Sequence, residues 1–198
     1  MSSKKVYVNM NSDNKGEANE VYTRLVEAEK LVGYLDENGF DKDKVIWCPF
    51  DLETSNIVIA LKNKGYKVIN THIDNGEDFL TYIPNFDFDV MISNPPFSKR
   101  TPFFNKINLY NKPYIMLQPI MFFNNNSMIR ELIRSSERYR FLFPNNRMGF
   151  IVKSGYEYID KSKTTAFYSF WLCKDMFLDK PVFIGLDGDK IKEVEKNV

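Results

Sequence analysis

The four residues Asn94-Pro95-Pro96-Phe97 combine groups that suit a flat ring bearing an amine. Asn94 offers a side-chain carbonyl as an acceptor. Pro95 and Pro96 fix φ and carry no N–H, so their carbonyls are held without a competing local donor. Phe97 supplies an aromatic face for stacking. The exocyclic amine of a purine has two hydrogens and a lone pair delocalised into the ring. Two acceptors on those hydrogens draw the nitrogen toward tetrahedral geometry and free the lone pair to attack an electrophilic methyl group, without a strong base acting first. A base inside a helix cannot reach such a pocket, so it must be flipped out or already unpaired. The plain alternative for these four residues is an ordinary Pro-Pro turn.

Basic side chains follow this segment. Lys99 and Arg100 come one serine after Phe97, placed to clamp the phosphates of a flipped nucleotide; a solvated loop pair is the other reading. The net charge is only +1, but its distribution is uneven. Residues 1–97 hold 10 Lys/Arg against 16 Asp/Glu, residues 98–163 hold 12 against 4, and residues 164–198 hold 5 against 6. Positive charge gathered on one stretch is the footprint expected for a phosphate backbone. Arg130, Arg134 and Arg147, with Arg138 and Arg140, extend that track. The helical spacing of Arg130, Arg134 and Arg138 describes a solvated helix face equally well, and charge alone does not separate the two. The aromatic residues Phe167, Tyr168, Phe170 and Trp171 read as core; only Tyr156 or Tyr158 is left open to a nucleic-acid role.

These residues must be positioned by a chain of 198 residues, a length that suits one domain with a substantial core. At 43% hydrophobic residues and 15% aromatics it is too apolar for a disordered chain. Residues 1–19, polar and rich in Asn, Lys and Ser, read as a flexible arm, and 20–198 as the domain. Cys48 and Cys173 lie far apart in apolar stretches and read as reduced, buried thiols. With His72 the sole histidine, no metal site is expected. No apolar run approaches a membrane span, and the N-terminus lacks an apolar signal region, so a soluble cytoplasmic protein is expected.

Apolar spacing predicts a helix from Tyr22 to Leu35 with Gly39 beyond its end, and another over Ile57–Leu61 closed by Gly65. Strands are expected at 45–48, 66–71, 88–93 and 114–117, with a brief one at Phe79-Leu80. Helices are expected around 103–110 and 127–136. This alternation implies an α/β fold with a mostly parallel sheet covered on both faces. The tail segments 139–143, 148–152, 165–173 and 182–184 read as strands without intervening helices, which implies an added antiparallel hairpin at one edge. Asn94 then follows a buried strand, Val90-Met91-Ile92, at the carboxyl end where open α/β sheets bind ligands.

Asn-Pro-Pro-Phe after the fourth strand resembles the signature of the class I methyltransferases that modify exocyclic amines of bases. Most of these are adenine-N6 enzymes, and some are guanine-N2 RNA enzymes. The run Val45-Ile46-Trp47-Cys48-Pro49-Phe50-Asp51, then Ser55-Asn56, Gly65 to Ile69, His72-Ile73, Gly76 and Asp78-Phe79, is similar to small adenine-methyltransferase-like proteins of bacteriophages and mobile elements. The likeness covers about residues 20–185. It implies a single Rossmann-like domain with a seven-stranded sheet and an antiparallel C-terminal hairpin, and S-adenosylmethionine as cofactor. By the same resemblance Asn94, Pro95, Pro96 and Phe97 are catalytic. Asp78 takes the adenine amine of the cofactor, Phe79 lies near its ring, and Thr23 borders the methionine moiety. A loop aspartate capping its own turn is the alternative for Asp78.

The sequence departs from that pattern in three places. No glycine stands between Gly39 and Gly65, where a glycine-rich loop is usual; Cys48-Pro49-Phe50-Asp51 occupies that place. Asp51 stands there to bind the methionine ammonium. His72 sits where an acid usually binds ribose hydroxyls, and a structural histidine is the alternative. Thr23-Arg24 replaces the usual Thr-Pro. The implied function is methylation of adenine N6 in nucleic acid, DNA before RNA, with a protein partner possible for specificity because the chain has no room for a separate recognition domain. A methyltransferase fold that binds nucleic acid or a host defence protein without catalysis is the competing reading, with RNA adenine-N6 or guanine-N2 methylation a further one.

Overall fold

The first two helices end by the same device. The structure, a computed structural model, describes residues 21–97, 100–154, 157–161 and 167–186. The arm expected over 1–19 lies outside them. Helix α1 (Leu25–Glu37) stops where Gly39 takes φ 68°, and α2 (Asn56–Asn63) where Gly65 takes φ 84°. In each, the glycine lets the chain reverse so that two late carbonyls are capped. Phe40 N–H reaches Leu35 at 2.9 Å and Tyr66 N–H reaches Leu61 at 3.1 Å. The rings of Phe40 and Tyr66, just past the two caps, lie 5.8 Å apart.

The strands that follow build one seven-stranded sheet. They are β2 (Val45–Cys48), β3 (Lys67–Asn70), β4 (Val90–Ser93), β5 (Tyr114–Pro119), β6 (Tyr139–Phe143), β9 (Ser169–Lys174) and β10 (Phe183–Gly185), in the order β10-β6-β9-β5-β4-β2-β3. All neighbours pair in parallel except β9, which is antiparallel to both β5 and β6. Side chains alternate strictly through the sheet. Ile46, Cys48, Ile92, Ile115, Leu117, Leu142, Trp171 and Cys173 face α1 and α2. Trp47, Met91, Tyr114, Met116, Phe141, Phe170 and Leu172 face an aromatic layer that includes Phe103, Phe104 and Ile107 of α3 (Arg100–Leu109) and Met128 of α4 (Asn126–Arg134). Both cysteines are buried free thiols.

The mostly parallel sheet follows the sequence expectation, but the antiparallel part is distributed differently. Strand β9 is inserted inside the sheet rather than added at its edge. A hairpin of β7 (Phe150–Ser154) and β8 (Glu157–Lys161) leaves the main sheet and pairs with β1 (Val21–Thr23) in a second sheet of three strands, order β1-β7-β8. Strand β1 itself has no counterpart among the expected elements. Phe79-Leu80 is not a strand: Asp78 accepts the Leu80 N–H at 3.0 Å and its carbonyl accepts Tyr82 N–H at 2.7 Å, closing a turn. Of the described residues, no helix is long and apolar enough to cross a membrane.

Candidate functional site

Strand β2 has β3 on one side and β4 on the other, so the chain passes to opposite sides of β2 in turn. The carboxyl ends of β2 and β4 therefore lie side by side, with a crevice beyond them. A cleft of about 50 Å³ lies at this point. Its walls are β1, Phe50 and Asp51 after β2, residues 55–57 at the start of α2, His72 after β3, and Asn94 to Phe97 after β4. All four motif residues thus share the cleft with Thr23, Asp51 and His72.

Strand β1 is held over the cleft from both edges. One edge pairs with β7. Carbonyls two residues apart point to the same side of a strand, and on the other edge those of Val21 and Thr23 accept from two asparagine side chains. Asn94 Nδ2 donates to Val21 at 2.7 Å, and Asn56 Nδ2 donates to Thr23 at 2.8 Å. This commits the nitrogen of Asn94 to the strand and leaves its Oδ1 buried, with no hydrogen-bond partner among the described residues. A buried acceptor without a donor costs free energy, on the order of 1–3 kcal/mol. Thr23 Oγ1 is orphaned in the same way.

Asp51 is buried beside hydroxyl and backbone groups. Ser93 Oγ accepts the Phe50 N–H at 3.1 Å, which directs its own proton to Asp51 Oδ2. Ser55 Oγ accepts the Leu52 N–H at 2.9 Å, and Ser55 with the Asn94 backbone also favours the ionised form of Asp51. These donors suit a carboxylate, yet no Lys or Arg pairs with Asp51 among the described residues. Burial outweighs the hydrogen bonds and pushes its pKa from 3.8 up to about 6. The site thus holds a buried acid with hydrogen-bond donors and, among the described residues, no partner of opposite charge. Ser93 was missed by the sequence reading; the signal was a polar residue ending a buried apolar strand.

His72 accepts the Asp74 N–H on Nδ1 at 3.1 Å, which makes Nε2 the protonated nitrogen of the neutral ring. It caps a short 3-10 turn, as a structural histidine would, and it also lines the cleft. Phe97 is buried, with Phe150 and Phe167 packed edge-to-face at 6.5 and 6.2 Å. It closes the cleft as part of an aromatic cluster rather than as an open stacking surface.

No protein-family model matches the sequence, and no curated protein matches it. Among solved structures, the chain is similar to a modification subunit assigned to a type I restriction enzyme from Vibrio vulnificus YJ016. The identity is 10%, the TM-score 0.48, and 81% of this chain and 45% of that one are covered. It is similar to a SAM-dependent O-methyltransferase from Thermotoga maritima at 9% identity and TM-score 0.43, over 75% and 64% of the two chains. A tRNA methyltransferase from Aquifex aeolicus gives 12% identity and TM-score 0.35, over 74% and 67%. The chain thus spans less than two thirds of the length of the first two.

Several expected site residues lie elsewhere. Cys48, at the end of β2, and Pro49, in the turn after it, are buried and do not line the cleft. Asp78 is used by its own turn. Phe79 packs in the core, its ring 4.6 Å from Phe50 and 5.6 Å from Trp47. Of the basic track, Lys99 lies outside the described residues and only the backbone of Arg100 is described, at the start of α3. Arg130 and Arg134 are exposed on α4, and Arg147 is exposed beyond β6. Arg138 instead forms a two-pronged ion pair with Asp175, and Arg140 is buried, donating to the carbonyls of Glu137, Tyr139, Leu178 and Lys180. Those two are structural. Tyr156 lies outside the described residues.

Proposed function

We propose that this protein transfers a methyl group from S-adenosylmethionine to the exocyclic N6 amine of adenine in nucleic acid, DNA in the first place. The observation that carries the reading is the pairing of two unmet needs in one cleft: the partnerless acceptor Asn94 Oδ1 and the buried carboxylate Asp51, which lacks a cation. An amine that donates satisfies the first, and an ammonium satisfies the second.

The donor set fits the methionine end of the cofactor. Asp51 would hold the ammonium, Thr23 and the Nε2–H of His72 would supply further hydrogen bonds, and the bound cofactor would supply an electrophilic methyl group. The enclosed space takes only the end of such a ligand, so its remainder would lie in the open mouth. Asn94 Oδ1, fixed by the Val21 bond, would accept one amine hydrogen and the rigid Pro95 carbonyl the other. That turns the amine lone pair toward the methyl donor. The adenine must leave its stack to arrive there, and the exposed Arg130, Arg134 and Arg147 would meet the phosphates around it.

The test is transfer of labelled methyl to adenine-containing oligonucleotides, DNA and RNA in parallel, followed by mass spectrometry of the product nucleoside. N6-methyladenine in DNA supports the reading as stated, N6-methyladenine or N2-methylguanine confined to RNA would redirect it, and no product from any substrate would sink it. The narrow cleft and the commitment of Asp78 to its own turn favour a second reading, a nucleic-acid-binding or defence-inhibiting protein that makes no use of cofactor. Calorimetry separates the two: heat with S-adenosylmethionine supports catalysis, whereas oligonucleotide or partner binding without it supports the second.

A further inference from the structure

The carboxyl edge of the sheet continues past the cleft. Strand β9 runs antiparallel to its neighbours, so its beginning lies at the same edge as the end of β5, with Ser169 opposite Pro119. The two residues before β9 point in different directions. Phe167 is buried against Phe97, while Tyr168 is 44% exposed. The Tyr168 carbonyl accepts the Ile120 N–H at 2.8 Å, which ties its backbone to the end of β5. The guanidinium of Arg147, an exposed residue, lies over the Tyr168 ring, 5.2 Å from its centroid. An exposed tyrosine, braced by an arginine, thus stands one residue from the aromatic that packs on the cleft's own Phe97.

A surface-only origin for this pair leaves its position unexplained. The pair belongs to the edge where ligands bind, and Arg147 to the stretch that carries 12 Lys/Arg against 4 Asp/Glu. A large ring held half in water with a guanidinium against it is the chemistry that stacks a base and neutralises its phosphate. When one base leaves a strand, its neighbour loses a stacking partner, and a tyrosine face beside the pocket can replace it.

We infer that Tyr168, with Arg147 across its ring, forms a stacking platform for the nucleotide next to the target adenine on an unpaired strand. This rests on the reading of the cleft as an amine pocket for a nucleic-acid base. Tyr168 sets how the strand is held beside the pocket and does not touch the reacting amine.

The experiment uses the full chain and short single-stranded oligonucleotides with one adenine and 2-aminopurine beside it. Wild-type protein should quench the 2-aminopurine on binding. Tyr168→Ala should lose the quench and weaken binding roughly 5- to 150-fold, the range for one base–aromatic stack, with an unchanged melting temperature. Tyr168→Phe should keep both. An oligonucleotide with an abasic neighbour should bind Tyr168→Ala and wild type equally. If Tyr168→Ala quenches and binds like wild type while Asn94→Ala alone abolishes methyl transfer, the platform is wrong and the amine pocket stands. Wild-type protein that binds no oligonucleotide overturns both.

Discussion

Asn94 reaches across to β1 and donates through Nδ2 to the Val21 carbonyl, 2.7 Å away. A residue after β4 thereby sets the height of a strand 73 positions earlier in the chain, and that strand in turn fixes which way the Asn94 amide faces. The orphaned Oδ1 follows from this bond, because the carbonyl of Val21 can accept only from the nitrogen.

Replacing Asn94 by alanine removes both ends of that relationship. Methyl transfer should fall by roughly 100-fold or more, the loss typical when one preorganised hydrogen-bonding group is taken from a reacting centre. Cofactor binding should change far less, since Asp51 keeps its serine donors. Transfer of labelled methyl, set beside calorimetry of cofactor binding, checks this; equal loss of both would place Asn94 in binding instead.

Asp51 should trade stability for ligand binding. Its folded pKa of about 6 lies above the usual 3.8, so between those values the native state binds more protons than the unfolded one. Stability therefore falls as pH rises through about 4 to 6, by roughly 3 kcal/mol at most. Asp51→Asn should be more stable than wild type at pH 7.5 and lose that advantage below pH 4, as read from urea midpoints.

Ligand binding should run the other way with pH. A cationic ammonium needs the ionised carboxylate, so affinity for S-adenosylmethionine should rise as pH increases through about 6, with proton release on binding. Calorimetry in buffers of different ionisation heat would show it, and a flat profile from pH 5 to 7.5 would exclude Asp51 from the site. Ser93→Ala, which removes a donor to Asp51, should move the midpoint upward.

Arg140 and Arg134 should respond oppositely. Arg140→Ala takes the guanidinium donors from one buried and three partly buried carbonyls and should destabilise the fold by roughly 3 kcal/mol. Arg134→Ala on the exposed face of α4 should leave stability unchanged and reduce the salt dependence of oligonucleotide binding. Thermal melts and anisotropy titrations at two salt concentrations read both.

Gly65→Ala tests the left-handed turn after α2. Nothing lies within 4 Å of an added Cβ, so the φ of 84° alone carries the cost, roughly 1 kcal/mol. A urea midpoint unchanged from wild type would show that the turn tolerates a side chain.

What was legible in the sequence was short-range. The spacing from Leu25 to Leu35 and from Ile57 to Leu61, with Gly39 and Gly65 beyond, marked both helices and their ends because propensity and capping act within a few residues. The apolar run Val90-Met91-Ile92 marked a buried parallel strand, and Asn94 after it marked the pocket. Phe79-Leu80 read as a strand from its apolar pair, but the Asp78 carboxylate took the Leu80 N–H that a ladder would need. Arg140 read as part of a basic track from the charge gathered in its stretch, although its partners come from segments as far away as Lys180.

The sequence by itself determined the α/β alternation, the helix ends and the chemical identity of the Asn94–Phe97 segment, all of which depend on neighbours in the chain. Only the tertiary structure decided that β1 closes over that segment, that β9 enters between β5 and β6, and that Asp51 is buried beside Ser93 with no cation paired to it among the described residues. Those outcomes depend on pairings between distant residues, such as Thr23 with Phe150 and Pro119 with Ser169. The unmet hydrogen-bonding and charge of Asn94 and Asp51 exist only once folding has stripped water from them.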